Sequence, residues 1–267
     1  MSQSKNVGDV GLFGPDSVAW HLHADPVMLI GGMRALLVQA LEPRAMAAVD
    51  QHSKFREDPW GRLARTSNFV MTTIYGDTAA AEAACDRVRK VHARVHGVDP
   101  VTAMPYAGND PDLLLWIHAA EIESFVVVYR TYAGRLSEED ADRYVVEMGR
   151  VAEMVELPRD MTPRSMGEIR EYLRAVRPTL RATPPAFDGL RVVLLPPMPA
   201  QFRPLWVVPA TAAVAILPGY ARRMYRLPWV PGAGLPVRAA MYPLSRALNL
   251  VTGRPPAVRA AYDRVAA

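Results

Sequence analysis

Residues 51–125 hold the side chains of this chain best suited to chemistry: His52, His92, His96 and His118, interleaved with Arg62, Arg65, Thr66 and Arg89. Histidines set in apolar helical stripes, facing cations and a hydroxyl, are what a buried metal or haem pocket requires. His92 and His96 are four apart, so on one helix they share a face. A zinc-protease pair at that spacing needs a glutamate after its first histidine, and Ala93, Arg94 and Val95 stand here instead. Helical di-iron sites need Glu-x-x-His, which does not occur.

Val88, Val91, His92 and Val95 line up as one apolar stripe. That leaves His92 as either a ligand or a hydrogen-bonded core residue, and puts His96 near a helix end, where a cation is favoured. His118 follows Leu114, Leu115 and Ile117, with Glu121 and Glu123 near enough to orient its ring. His52 stands beside Ser53. Arg62, Arg65 and Thr66, at i, i+3 and i+4, occupy one helix face. If that face is buried, its charges need partners such as haem propionates, an anionic substrate or carboxylates. If it is open, surface salt bridges suffice. Arg89 lies one turn before His92.

The elements that must position these residues read as helices. Asp25 and Pro26 open one over 26–41, whose Gly31-Gly32 pair suggests close approach by a neighbour. Pro43 starts another through 44–52, and Asp58-Pro59 opens one to Tyr75. Asp77-Thr78 caps a helix over 79–95, which Gly97 would end. Asp110-Pro111 opens a helix over 111–132, and Ser137 one over 138–157. Further helices are expected at 162–176, 205–217, 219–226, 235–250 and 255–266, with 190–195 the one good strand candidate. The organisation expected is a loose leader, 1–15, and a single helical domain, 16–267.

Half of the 267 residues are hydrophobic, which marks a globular chain with a substantial core. A formal charge of only +4 does not mark a nucleic-acid binder. The lone cysteine, Cys85, forms no internal disulfide and reads as a small core residue. With a polar start lacking an apolar signal segment, this points to a cytoplasmic protein. The apolar run 205–217 is too short to span a bilayer and is broken by Pro209. It reads as a buried helix. The alternative is a segment at a membrane interface, flanked by Arg203, Arg222, Arg223 and Arg226.

Several of these pieces together resemble the MpaB-type oxygenases and the catalytic domain of rubber oxygenase (latex clearing protein). They are Leu37-Val38-Gln39-Ala40 with Pro43, His52-Ser53, Asp58-Pro59-Trp60-Gly61-Arg62-Leu63-Ala64-Arg65-Thr66, Tyr75-Gly76-Asp77, Val88-Arg89-Lys90-Val91-His92, and Asn109-Asp110-Pro111-Asp112-Leu113-Leu114-Leu115-Trp116-Ile117-His118-Ala119, followed by Tyr129 and Leu136-Ser137. The likeness runs from about residue 20 to about residue 223. It implies an all-α bundle enclosing a b-type haem (heme b), and O₂ chemistry on an apolar small molecule. It implies His92 as axial iron ligand, with Arg89 one turn before it, and Arg62, Arg65 and Thr66 on the distal side. His52, His96 and His118 are weaker candidates for the haem surroundings. The rubber enzymes carry lysine where Arg65 stands. Arginine does not give up its proton, so Arg65 would act by charge and hydrogen bonding rather than as an iron ligand. The second reading is a helical protein that binds haem or lipid at a membrane surface without turning it over.

Overall fold

Asp58 and Asp77, two of the residues read as helix caps, set the pair of helices that matters most here. Asp58 accepts a hydrogen bond from Gly61 N and precedes α4 below; Asp77 accepts one from Ala80 N and precedes α5. The computed structural model describes residues 8–228, 232 and 234–266. In chain order the elements are α1 Val18–His23, α2 Met28–Gln39, α3 Pro43–His52, α4 Pro59–Tyr75, α5 Thr78–His92, β1 His96–Val98, β2 Pro105–Ala107, α6 Pro111–Val128, α7 Glu138–Met154, α8 Met166–Ala175, α9 Pro184–Leu194, α10 Arg203–Ala215, α11 Gly219–Met224, α12 Gly234–Thr252 and α13 Pro256–Ala266. The all-α class expected is the class found. Among the described residues the sheet is the antiparallel pair β1–β2, with Gly97 opposite Tyr106.

The hub is α6. It is apolar on nearly every face and buries Leu113, Trp116, Ala119, Ala120, Ile122, Phe125 and Val126, as a helix enclosed on all sides must. It packs chiefly on α2, and the two exchange bonds: Trp116 Nε1 donates to Gln39 O and Gln39 Nε2 to Ile117 O, both at 3.0 Å. α6 runs on into a single π-turn, Tyr129–Ala133, before Gly134.

The close approach expected at the glycine pair exists at Gly31 alone. A Cβ there would stand 2.5 Å from Phe125 Cδ1, whereas one on Gly32 meets nothing within 4 Å. Phe125 is itself held edge-on by His23. Two substitutions therefore have opposite expected signs. Gly31→Ala lowers stability by about 1–2 kcal/mol because overpacking outweighs the gain in helix propensity. Gly32→Ala raises it by up to about 1 kcal/mol. Urea unfolding of the pair reads both, and equal effects would sink the packing argument.

Several expectations are corrected. α5 ends at His92, not at residue 95, because its last turn tightens: Arg94 N bonds to Val91 O and Val95 N to His92 O. Gly97 is then a strand residue and not a helix stop. The hairpin turn is held by buried Asp99, which accepts from the backbone of Val101 and Thr102 and from the Thr102 hydroxyl. The strand expected at 190–195 lies in α9 and Leu195 just after it, where Pro184 at the helix start outweighs the β-branched Val192-Val193. The helix expected from 162 starts at Met166, with Ser165 as its cap. The leader is not loose where it is described. Asp9 accepts from Thr78 N and its hydroxyl, and Phe13 is buried; residues 1–7 of that leader lie outside the described residues. The 205–217 helix is not simply buried: Ala210, Ala212 and Ala213 face inward, while Leu205, Val207 and Val208 face out. No helix among the described residues is long and apolar enough to cross a membrane.

Candidate functional site

α4 and α5 are joined by a two-residue break at Gly76-Asp77 and pack against each other, so they run antiparallel. Arg62 lies about 14 residues before the break and His92 about 15 after it. At 1.5 Å per residue both stand roughly 22 Å from the turn, at the same end of the pair. Sequence spacing alone gives no sign of this; the tight break does.

His92 is half-buried on the last turn of α5, and its Nδ1 is enclosed with no hydrogen-bond partner. Burial lowers its pKa, and the Glu156 carboxylate opposes this only in part, so the ring is neutral. Arg62 is half-buried too, and it bonds a hydroxyl: Nη1 donates to Ser53 Oγ at 3.2 Å. Burial and the guanidinium of Arg65 both pull its pKa below the ordinary arginine value, yet arginine stays charged. A half-buried cation without a carboxylate partner among the described residues can pair with an anion.

The rest of the proposed distal face is open. Arg65 is exposed and pairs with Asp58 at 3.2 Å, and exposed Thr66 donates back to Arg62 O. Of the two readings of the face formed by Arg62, Arg65 and Thr66, the open one with a surface salt bridge holds for Arg65 and Thr66: only Arg62 is half-buried, and Asp58 draws Arg65 toward the helix start. Arg89 is committed elsewhere. Its Nη1 donates to Met154 O at 2.7 Å and Nη2 to Asp86, tying α5 to the end of α7.

The other histidines separate. His96 is exposed on β1, so the shared helix face of His92 and His96 does not exist. His52 is exposed at the end of α3, with Nε2 3.2 Å from His96 O and its ring edge-on to Tyr106. His118 is buried on α6, its Nε2 has no partner, and burial lowers its pKa to about 4. Neither nearby carboxylate orients it: Glu123 is bound to Arg34, and no hydrogen bond joins Glu121 to the ring. Among the described residues no group of three or more His, Cys, Asp or Glu is arranged to hold a metal ion between them. Buried Cys85 is a core residue, its thiol pKa raised by burial.

A second polar cluster was not anticipated. His23 Nε2 lies 2.8 Å from the Tyr144 hydroxyl inside the core, and His21 Nε2 lies 2.6 Å from that of Tyr129. Burial lowers the His23 pKa to about 3 and raises that of Glu121 to about 7. The available signal was His21-Leu22-His23 inside an otherwise apolar helix opening with Val18-Ala19-Trp20.

Within an all-helical fold, the antiparallel pair α4–α5 sets a half-buried imidazole level with a guanidinium that bonds a hydroxyl and, among the described residues, no carboxylate. The family model described as ER-bound oxygenase mpaB/B′/rubber oxygenase, catalytic domain, matches residues 20–246. The chain belongs to this family, and what it carries is an oxygenase catalytic domain. No curated protein and no solved structure matches it.

Proposed function

We propose that the protein is a haem-b-dependent oxygenase acting with O₂ on an apolar small molecule, with His92 as the protein ligand to iron. The observation that carries this reading is a neutral, half-buried imidazole standing level with Arg62, whose charge has no carboxylate partner among the described residues. These two residues fit the group. A histidine that ligates iron must be deprotonated at the ligating nitrogen, and burial keeps His92 so. Arg62 supplies the fixed positive charge that a propionate needs.

When bound, the haem supplies the oxygen chemistry. The side chains around it orient and compensate charge. Arg89 fixes the height of the last turn of α5 through Met154 O. Arg65 and Thr66 line the open side, where a bound substrate would screen them from water and strengthen their electrostatic effect. No ligand role is given to His52, His96 or His118. A cytoplasmic location fits this reading.

Haem titration of the purified protein tests it. A Soret band rising to about one equivalent is expected, with the band shifted and binding weakened by at least ~10-fold in His92→Ala, as loss of a metal ligand requires. Arg62→Gln should weaken binding less and leave the band position unchanged. Absence of a band in the wild type, or an unaltered band in His92→Ala, would overturn the proposal.

A further inference from the structure

Residues 189–262 contain nine arginines and no aspartate or glutamate, so this stretch is formally +9 and the remainder of a +4 chain is −5. The same stretch carries large apolar side chains in water. Leu195 is 77 %, Leu205 72 % and Leu235 68 % exposed, and Phe202, Val207 and Val208 are also out. Among them Arg203, Arg223, Arg226, Arg238 and Arg246 are exposed and have no carboxylate partner among the described residues. α10 and α12 pack on each other, so their outward sides adjoin.

Neither feature serves the fold. Clustered like charges repel one another, and solvated Leu, Val and Phe forgo the free energy of burial. We propose that the outward faces of α10 and α12 dock on an anionic lipid bilayer, with Leu205, Val208 and Leu235 entering the headgroup–acyl boundary and the arginines meeting lipid phosphates. α10 has 13 residues and contains Pro209, too short to span, so it lies along the surface. Each arginine near such a surface strengthens the attachment, and each inserted apolar side chain adds to it.

Charge selects this occupant. A second copy would set these five exposed arginines against five more. A nucleic acid would meet bare Leu and Val where stacking aromatics and polar contacts are needed. The proposal stands whatever the α4–α5 end binds.

Vesicle flotation tests it, with phosphatidylcholine alone and with phosphatidylcholine mixed with phosphatidylserine, at low and high salt. Binding to the mixed vesicles is expected at least ~10-fold above the neutral ones, falling with salt. The double variant Leu205→Asp/Val208→Asp should lose ~10-fold or more, and Arg203→Gln/Arg246→Gln should lose binding at low salt. Val146→Asp, which alters an exposed apolar residue on α7, should bind as the wild type does. Circular dichroism of each variant should match the wild type, since the altered side chains are solvent-exposed. Failure to float with anionic vesicles overturns the proposal, as does unchanged binding by the Leu205/Val208 variant. So does a self-association abolished by that variant with no vesicle binding.

Discussion

Taking the protein from pH 6.5 to pH 4 lowers its folding stability by about 3 kcal/mol, the net of opposing buried titrations. Burial holds His23 at about 3 and His118 at about 4, against an ordinary value of 6.5. As pH falls below 6.5 the unfolded chain takes up both protons and the folded chain does not. Stability present above 6.5 is therefore lost on acidification, by about 3 kcal/mol for each ring by pH 4. Glu121 works the other way. Its folded pKa is raised to about 7 from 4.5, so between those values the folded state keeps a proton that the unfolded chain has released. Acidification restores about 3 kcal/mol through it. Two histidines against one carboxyl leave a net loss. Chemical denaturation across this pH range measures it. His118→Gln should flatten the profile, and Glu121→Gln should steepen it while raising stability at pH 8. A profile unaffected by either would refute the assignment.

Arg34→Met costs 3–5 kcal/mol, the expected result of removing one side of a buried ion pair. Arg34, on α2, is 2 % exposed and joins that helix to α6 and to the end of α10. Nη1 donates to Glu123 Oε2 at 2.5 Å and to Ser124 Oγ at 2.6 Å, Nη2 to Glu123 Oε1 at 3.1 Å, and Nε to Ile216 O at 3.0 Å. Methionine fills much of the volume but leaves the Glu123 carboxylate without its cation. The double variant Arg34→Met/Glu123→Leu should recover a large part of the loss, because no charge is then stranded. Urea midpoints of the two single variants and the double variant measure the coupling. Additive losses would mean that the pair does not act as a unit.

The helix starts were legible because each rests on a local device. Asp58, Asp77, Asp110, Ser137 and Ser165 all accept from backbone N–H groups within the first turn. The end of α5 was not, since the tight turn after His92 and the β1–β2 hairpin depend on Asp99 and on contacts with α3. That three-residue difference dissolved the His92–His96 pair. The helix face of Arg62, Arg65 and Thr66 was read correctly as a face. Which part of it turned inward was decided by Asp58 and Ser53, partners on the preceding loop that periodicity does not weigh. The His23–Tyr144 pair joins residues 121 positions apart, and no local pattern reports such a meeting. Arg34 sat in an apolar run where only its neighbours on α6 and after α10 explain it.

The bend between α4 and α5 is braced from outside the shared family domain, residues 20–246. Arg264, on the last helix, donates to Asp9 O at 2.7 Å and Gly76 O at 3.2 Å, and its own carbonyl receives Gly8 N. Asp9 in turn grips Thr78, the first residue of α5. A fragment trimmed to the family boundaries would keep Arg62 and His92 and discard both halves of this buckle, so the spacing of the two helices at their far end depends on segments that a domain-based truncation would throw away.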